Sequence, residues 1–203
     1  MKKKIVELLI DEDSLNDGIF AISLVDFPAI EENFMVFSDN KYNVTFAKID
    51  AEKRILTGPA LIPNKEIYRY NPETNEEYFV YFSPETVEQA SQMYLMNHKQ
   101  DNATLMHEED IKGVSLVESW LVTDETNDKA IAMGYDVPVG TWMVSLKINN
   151  DEIWENQIKT EEVKGFSIEG FFTQKFDGAL EPKIERMLDK IIRILEQIED
   201  NTK

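Results

Sequence analysis

Apolar and polar positions change rhythm several times along this chain, and each change marks an element. Residues 4–10 (Lys-Ile-Val-Glu-Leu-Leu-Ile) read as a strand followed by an acidic turn from Asp11 to Asp17. Gly18 to Ile30 is apolar and β-branched until Pro28, which has no N–H for a ladder and so ends the pairing. A polar break at 38–42 divides an N-terminal arm, residues 1–40, from a main domain at 43–176. Strand patterns recur there at 44–49, 54–63 and 78–82. Short strands between turns predict a mainly β fold, a barrel or sandwich, rather than a parallel βαβ array.

The helical spacings are fewer. Ser83 is an N-cap with Pro84 behind it, and Val87, Ala90, Met93 and Tyr94 recur on one face, with His98 at the helix end. A strand over 103–107 runs into the acidic trio Glu108-Glu109-Asp110, and a long one follows over 112–122. Uninterrupted alternation would put Val114, Leu116, Glu118, Trp120 and Val122 on one face, a carboxylate within an apolar row. Asp128 to Met133 predicts a helical turn ended by Gly134. A strand follows at 141–148, and then Asn150 caps a short helix carrying Ile153, Trp154 and Ile158. In the tail, 177–203, Ile184, Leu188, Ile191, Leu195 and Ile198 form an a/d seam on a helix that begins near Pro182. Packing on its own domain, self-association and docking on a scaffold partner all stay open for that seam, with the last two preferred.

Composition narrows the function. A chain of 203 residues with 42% apolar content can bury a real core, and no apolar run is long enough to span a membrane. A formal charge of -18 argues against binding a phosphate backbone, which needs clustered Lys and Arg. The start Met1-Lys2-Lys3-Lys4 is followed by an apolar stretch broken at Glu7, so it fails as a signal peptide and an intracellular setting is expected. With no cysteine and two histidines, thiolate catalysis and sulfur-held metals are excluded, and neither a cofactor nor a metal is expected.

The remaining chemistry centres on Val163 to Phe172, where Gly165 and Gly170 bracket a strand carrying Ser167. Glycine inside a strand marks a bulge or a close backbone approach. A serine nucleophile needs a base, and only His98 and His107 are available; His98 reads as a helix-end residue.

Several segments, in order, resemble one family: Ile22 to Ile30, Leu56-Thr57-Gly58-Pro59-Ala60-Leu61-Ile62-Pro63, Thr104-Leu105-Met106-His107-Glu108, Val117-Glu118-Ser119-Trp120, Gly140 to Val144, and Val163 to Phe171. Over roughly 18–175 they look like the XkdF-type serine proteases of tailed phages and prophages, relatives of the prohead maturation proteases. The resemblance implies a herpesvirus-assemblin-like β-barrel flanked by helices (α+β). It also implies a serine endopeptidase that trims scaffold and major capsid protein inside the assembling prohead, in the host cytoplasm. It carries Ser167 onto the nucleophile and His107 onto the base. Prohead proteases place an acid two residues before the Ser of a Ser-Leu-Val-x-x-Pro-Ala segment; here that segment precedes both residues and the place holds Ala21. Glu118 is therefore the expected third member, with Asp26 and Glu169 behind it, and Gly165 or Gly170 is expected in the oxyanion hole. The missing acid and the amphipathic tail also fit a catalytically inactive scaffolding protein of head assembly. An esterase is disfavoured, because Gly-Phe-Ser-Ile-Glu is not a Gly-x-Ser-x-Gly elbow.

Overall fold

The structure is a computed structural model and describes residues 4–11, 14, 17–28, 48–50, 53–175 and 191. The polar break at 38–42 lies outside these residues, as does the heptad seam apart from Ile191.

The described residues form three four-stranded sheets. The first orders β12 (Thr173–Lys175), β1 (Ile5–Leu9), β6 (Glu76–Phe82) and β5 (Ile67–Asn71). The second orders β3 (Lys48–Asp50), β4 (Ile55–Leu61), β10 (Trp142–Ile148) and β9 (Val114–Leu121). The third orders β11 (Gly165–Phe171), β2 (Gly18–Val25), β7 (Ala103–Leu105) and β8 (Glu109–Ile111). Among the described residues, only β1/β6 and β2/β7 pair in parallel. The stretch expected to be an arm thus supplies two interior strands, because β1 and β2 each have ladder partners on both edges.

Burial follows the side-chain alternation. On β10, Trp142, Val144, Leu146 and Ile148 face the main core, and Met143 faces a smaller cluster with Ile62, Val122, Ala130, Tyr135 and Val137. Both faces of β10 are covered, which is why its sequence reads as a nearly continuous apolar run. On β2, Ile22 and Leu24 enter the main core opposite Ile168 and Phe166.

Helix α1 (Pro84–Met96) starts as its sequence predicts: Ser83 Oγ accepts the Thr86 N–H at 3.3 Å and Pro84 occupies the first turn. Its face of Val87, Ala90 and Tyr94 is buried, and the Tyr94 ring meets Trp142 edge-on at 5.7 Å. His98 follows the cap Asn97 with φ +55°, and its N–H donates to Leu95 O at 3.1 Å, so it closes the helix end as expected. Helix α2 (Lys129–Ala132) is capped by Asp128, whose Oδ1 accepts the Ala130 N–H at 2.9 Å, and Gly134 (φ +90°) ends the turn. Helix α3 (Asp151–Ile153) is capped by Asn150 and runs on into a π-turn at Trp154–Ile158.

Two expectations need correction. The mainly β fold is as expected, but its sheets do not close into the expected barrel among the described residues: β11 lies against β4 without forming a ladder with it, and β4 carries Pro59, which has no N–H to donate. The shared face of Val114, Leu116, Glu118, Trp120 and Val122 is broken by a bulge. Ser145 pairs with Glu118 and Leu146 with Leu116, so Val117 is the extra residue. Val114 and Leu116 therefore face the main core, whereas Trp120 and Val122 join the smaller cluster.

Both glycines of β11 mark close approaches. A Cβ at Gly165 would lie 2.8 Å from Pro28 Cγ, and one at Gly170 would lie 2.6 Å from Gly18 O and 2.9 Å from the Phe172 ring. The ladder register also shifts between Glu169 and Gly170. Gly170→Ala, whose worst clash is with backbone, is expected to destabilise the fold by about 1–3 kcal/mol. Urea denaturation measures this directly.

Candidate active site

Strand alternation and register decide which side chains share the outer face of the third sheet. Ser167 pairs with Ser23 across β11/β2, and Ser23 pairs with Thr104 across β2/β7, which puts three hydroxyl side chains in one row. All three are buried; Ser167 is 7% exposed. Glu169, two residues further along β11, lies on the same face and pairs with Ala21.

His107 follows β7 in a tight turn rather than ending the strand. The Glu108 N–H reaches Leu105 O at 3.0 Å, and both central residues, Met106 (φ +53°) and His107 (φ +61°), are left-handed. That is the type I′ geometry normally filled by Asn-Gly, and two ordinary L-residues hold it at an energetic cost. Side-chain contacts secure it. The His107 N–H donates to Ser23 Oγ at 3.0 Å, and Met106 Sδ accepts the Asp26 N–H at 3.4 Å.

The imidazole is fixed from its other end. His107 Nδ1 lies 3.1 Å from Glu169 Oε1, and Thr104 Oγ1 donates to the same oxygen. A carboxylate can only accept, so Nδ1 carries the proton and Nε2 is the nitrogen with a lone pair. The Glu169 side chain is 18% exposed and the imidazole 43%, so the pair opens to solvent on the histidine side. His107 and Ser167 do not stand on adjacent strands: β2 runs between theirs, and Ser23 ties the two together.

The three acidic residues considered from sequence have separate surroundings. Glu118 is on the second sheet, where it pairs with Lys129 and accepts the Ser145 hydroxyl at 3.0 Å. The Lys129 ammonium holds its carboxyl below the ordinary range. Asp26 Oδ1 accepts the N–H of Phe27 at 2.8 Å. Glu169 is the one on the imidazole. Sequence reasoning ranked Glu118 first because the expected acid was missing at Ala21 and Glu118 lies one strand after His107. The signal for Glu169 was the spacing Ser167-Ile168-Glu169, which puts hydroxyl and carboxylate on one strand face. Ser23 and Thr104 were missed as contacts, since nothing in their local sequence marks them.

Gly165 and Gly170 both lie within the β11 ladder, opposite Val25 and Ile19. Among the described residues no group of three or more His, Asp or Glu is arranged to hold a metal.

A search of curated proteins and of solved structures finds no match. One family model does match, the family described as Putative phage serine protease XkdF, over residues 43–175. That span contains His107, Ser167 and Glu169 and stops short of β2, so Ser23 comes from outside the matched region. On this match the chain belongs to the family described as Putative phage serine protease XkdF.

Proposed function

We propose that this chain is a serine endopeptidase of phage head maturation, with Ser167 as nucleophile, His107 as general base and Glu169 as the carboxylate that orients the imidazole. The observation that carries the reading is the bond from His107 Nδ1 to a carboxylate sharing a strand face with Ser167. Residues two apart on a strand are separated by about 6.6–6.8 Å, room for an imidazole that bonds to one at each end. The relatives' acid, absent at Ala21, has a counterpart directly across the ladder: Glu169 is the register partner of Ala21. In this reading Glu169 stands in for that acid from the neighbouring strand.

In the reaction, His107 Nε2 takes the Ser167 proton as Oγ attacks the scissile carbonyl, then delivers it to the leaving amine. Glu169 holds the Nδ1–H tautomer and stabilises the imidazolium. Thr104 holds Glu169, and Ser23 holds the turn that carries the ring. The substrates follow from the family resemblance: scaffold and major capsid protein in the assembling prohead.

A fluorophosphonate probe followed by peptide mass mapping tests this. One adduct is expected, on the peptide containing Ser167, and none in Ser167→Ala. An unlabelled wild type, or an adduct that survives the substitution, would leave the inactive scaffolding protein as the better reading.

A further inference from the structure

We infer that the ring pair Phe20 and Phe171 is a substrate subsite, which takes a bulky apolar side chain at the fourth residue from the scissile bond of an extended peptide. The inference rests on Ser167 being the nucleophile, and it names the feature by which that nucleophile's substrates are selected.

A bulge puts the pair on the catalytic face. Unbroken alternation along β2 would send Phe20 into the main core with Ile22 and Leu24, and would turn Ile19 outward. The ladder reverses this: Glu169 pairs with Ala21 and Gly170 with Ile19, so Phe20 is the extra residue. Ile19 enters the core at 3% exposure, and the half-buried Phe20 ring meets Phe171 at 5.5 Å and 38°. Two features hold the bulge. Asn102 Nδ2 donates to Phe20 O at 3.0 Å, and the bare Gly170 lets β11 close on Gly18 O, which a Cβ would approach to 2.6 Å. Bulges beside active sites commonly re-aim a side chain in this way.

On β11, Ser167, Glu169 and Phe171 alternate along that one face, while Phe166 and Ile168 turn to the core. A cross-strand aromatic pair supports its sheet, yet Phe171 keeps 61% of its surface in water, area that a ligand side chain can cover. The strand rise fixes the reach. Phe171 lies about 13 Å along β11 from Ser167, the span of four residues of an extended peptide. A peptide with its reacting carbonyl over Ser167, following β11 across the sheet face, brings its fourth residue over the rings. Ring faces and edges accept methyl groups, methylenes and other rings alike, so the class is bulky apolar rather than one residue type.

The test reads rates of phosphonylation of Ser167 in the full chain. Fluorophosphonates carry an arm of three glycines and then Phe or Ser as the fourth residue from phosphorus. One series attaches the arm through carbon and the other through the ester oxygen, which covers both directions of the peptide. In one series the Phe probe is expected to react at least about tenfold faster than the Ser probe. Moving Phe to the second residue is expected to remove the advantage. Phe171→Ser is expected to bring the ratio of the two rates to about one, and Phe171→Leu, which restores apolar surface, to keep most of it. Tyr70→Ser, which removes a comparably exposed ring from the first sheet, is expected to leave the ratio as it was. Each ratio is taken within one preparation, so a partly unfolded variant does not distort it. Equal rates in both series, an advantage kept at the second residue, or a preference that survives Phe171→Ser would overturn the subsite. A fluorophosphonate without an arm reports on the nucleophile separately: labelling by it with no arm preference defeats the subsite alone, and no labelling by any probe defeats the catalytic reading and the subsite with it.

Discussion

His107→Ala is expected to lower peptide hydrolysis by about 10⁶-fold, to the level of Ser167→Ala, because in serine-protease triads losing the base costs as much as losing the nucleophile. The two effects should not add when combined, since both residues act in one proton transfer. Stability separates this from simple misfolding. His107 has φ +61°, a conformation that glycine adopts without the clash a Cβ introduces. His107→Gly should therefore be more stable than His107→Ala by about 1–2 kcal/mol in urea denaturation while being equally inactive. An imidazole kept where glycine would be less strained is what a functional constraint predicts.

The second large effect distinguishes two carboxylates. Glu169→Gln keeps the shape and an oxygen for Thr104 to address, but removes the charge that stabilises the imidazolium and the pure acceptor that fixes its tautomer. A loss of about 10⁴-fold in kcat is expected, the size seen when a triad carboxylate becomes an amide. Glu118→Gln is expected to leave hydrolysis unchanged, because its partners are Lys129 and Ser145 on another sheet. It should cost at most about 1 kcal/mol of stability, the usual value of an exposed ion pair. If Glu118→Gln abolished hydrolysis and Glu169→Gln did not, the assignment of Glu118 as third member would be restored.

Much of the fold was legible wherever local chemistry decides it. Ser83, Asp128 and Asn150 announced helix starts through side-chain acceptors, and each accepts the N–H bond its position predicts. The two glycines of β11 correctly marked a register shift and close approaches. Strand β5 was not legible. Its sequence Ile-Tyr-Arg-Tyr-Asn is mostly polar, and it pairs with β6 across a turn carrying Asn75 at φ +55°. Strands β8 and β12, three residues each, are too short to show a period.

The site was half legible for the same reason. Ser167 and His107 could be named as candidates because each sits in a distinctive local context and the family resemblance marks both. The carboxylate could not be ranked, because its rank depends on which strands become neighbours. A single inserted residue at Val117 turned Glu118 to the wrong face, and the β11/β2 register placed Glu169 opposite Ala21. Bulges and long-range register are set by tertiary packing and leave little trace in a periodic pattern.

The geometry of the phosphonylated protein tests the central claim most directly. A crystal structure of the fluorophosphonate adduct should show phosphorus on Ser167 Oγ, His107 Nε2 within about 2.6–3.2 Å of an adduct oxygen, and Nδ1 still on Glu169. Phosphorus on another side chain, or a ring turned away from both Ser167 and Glu169, would contradict it.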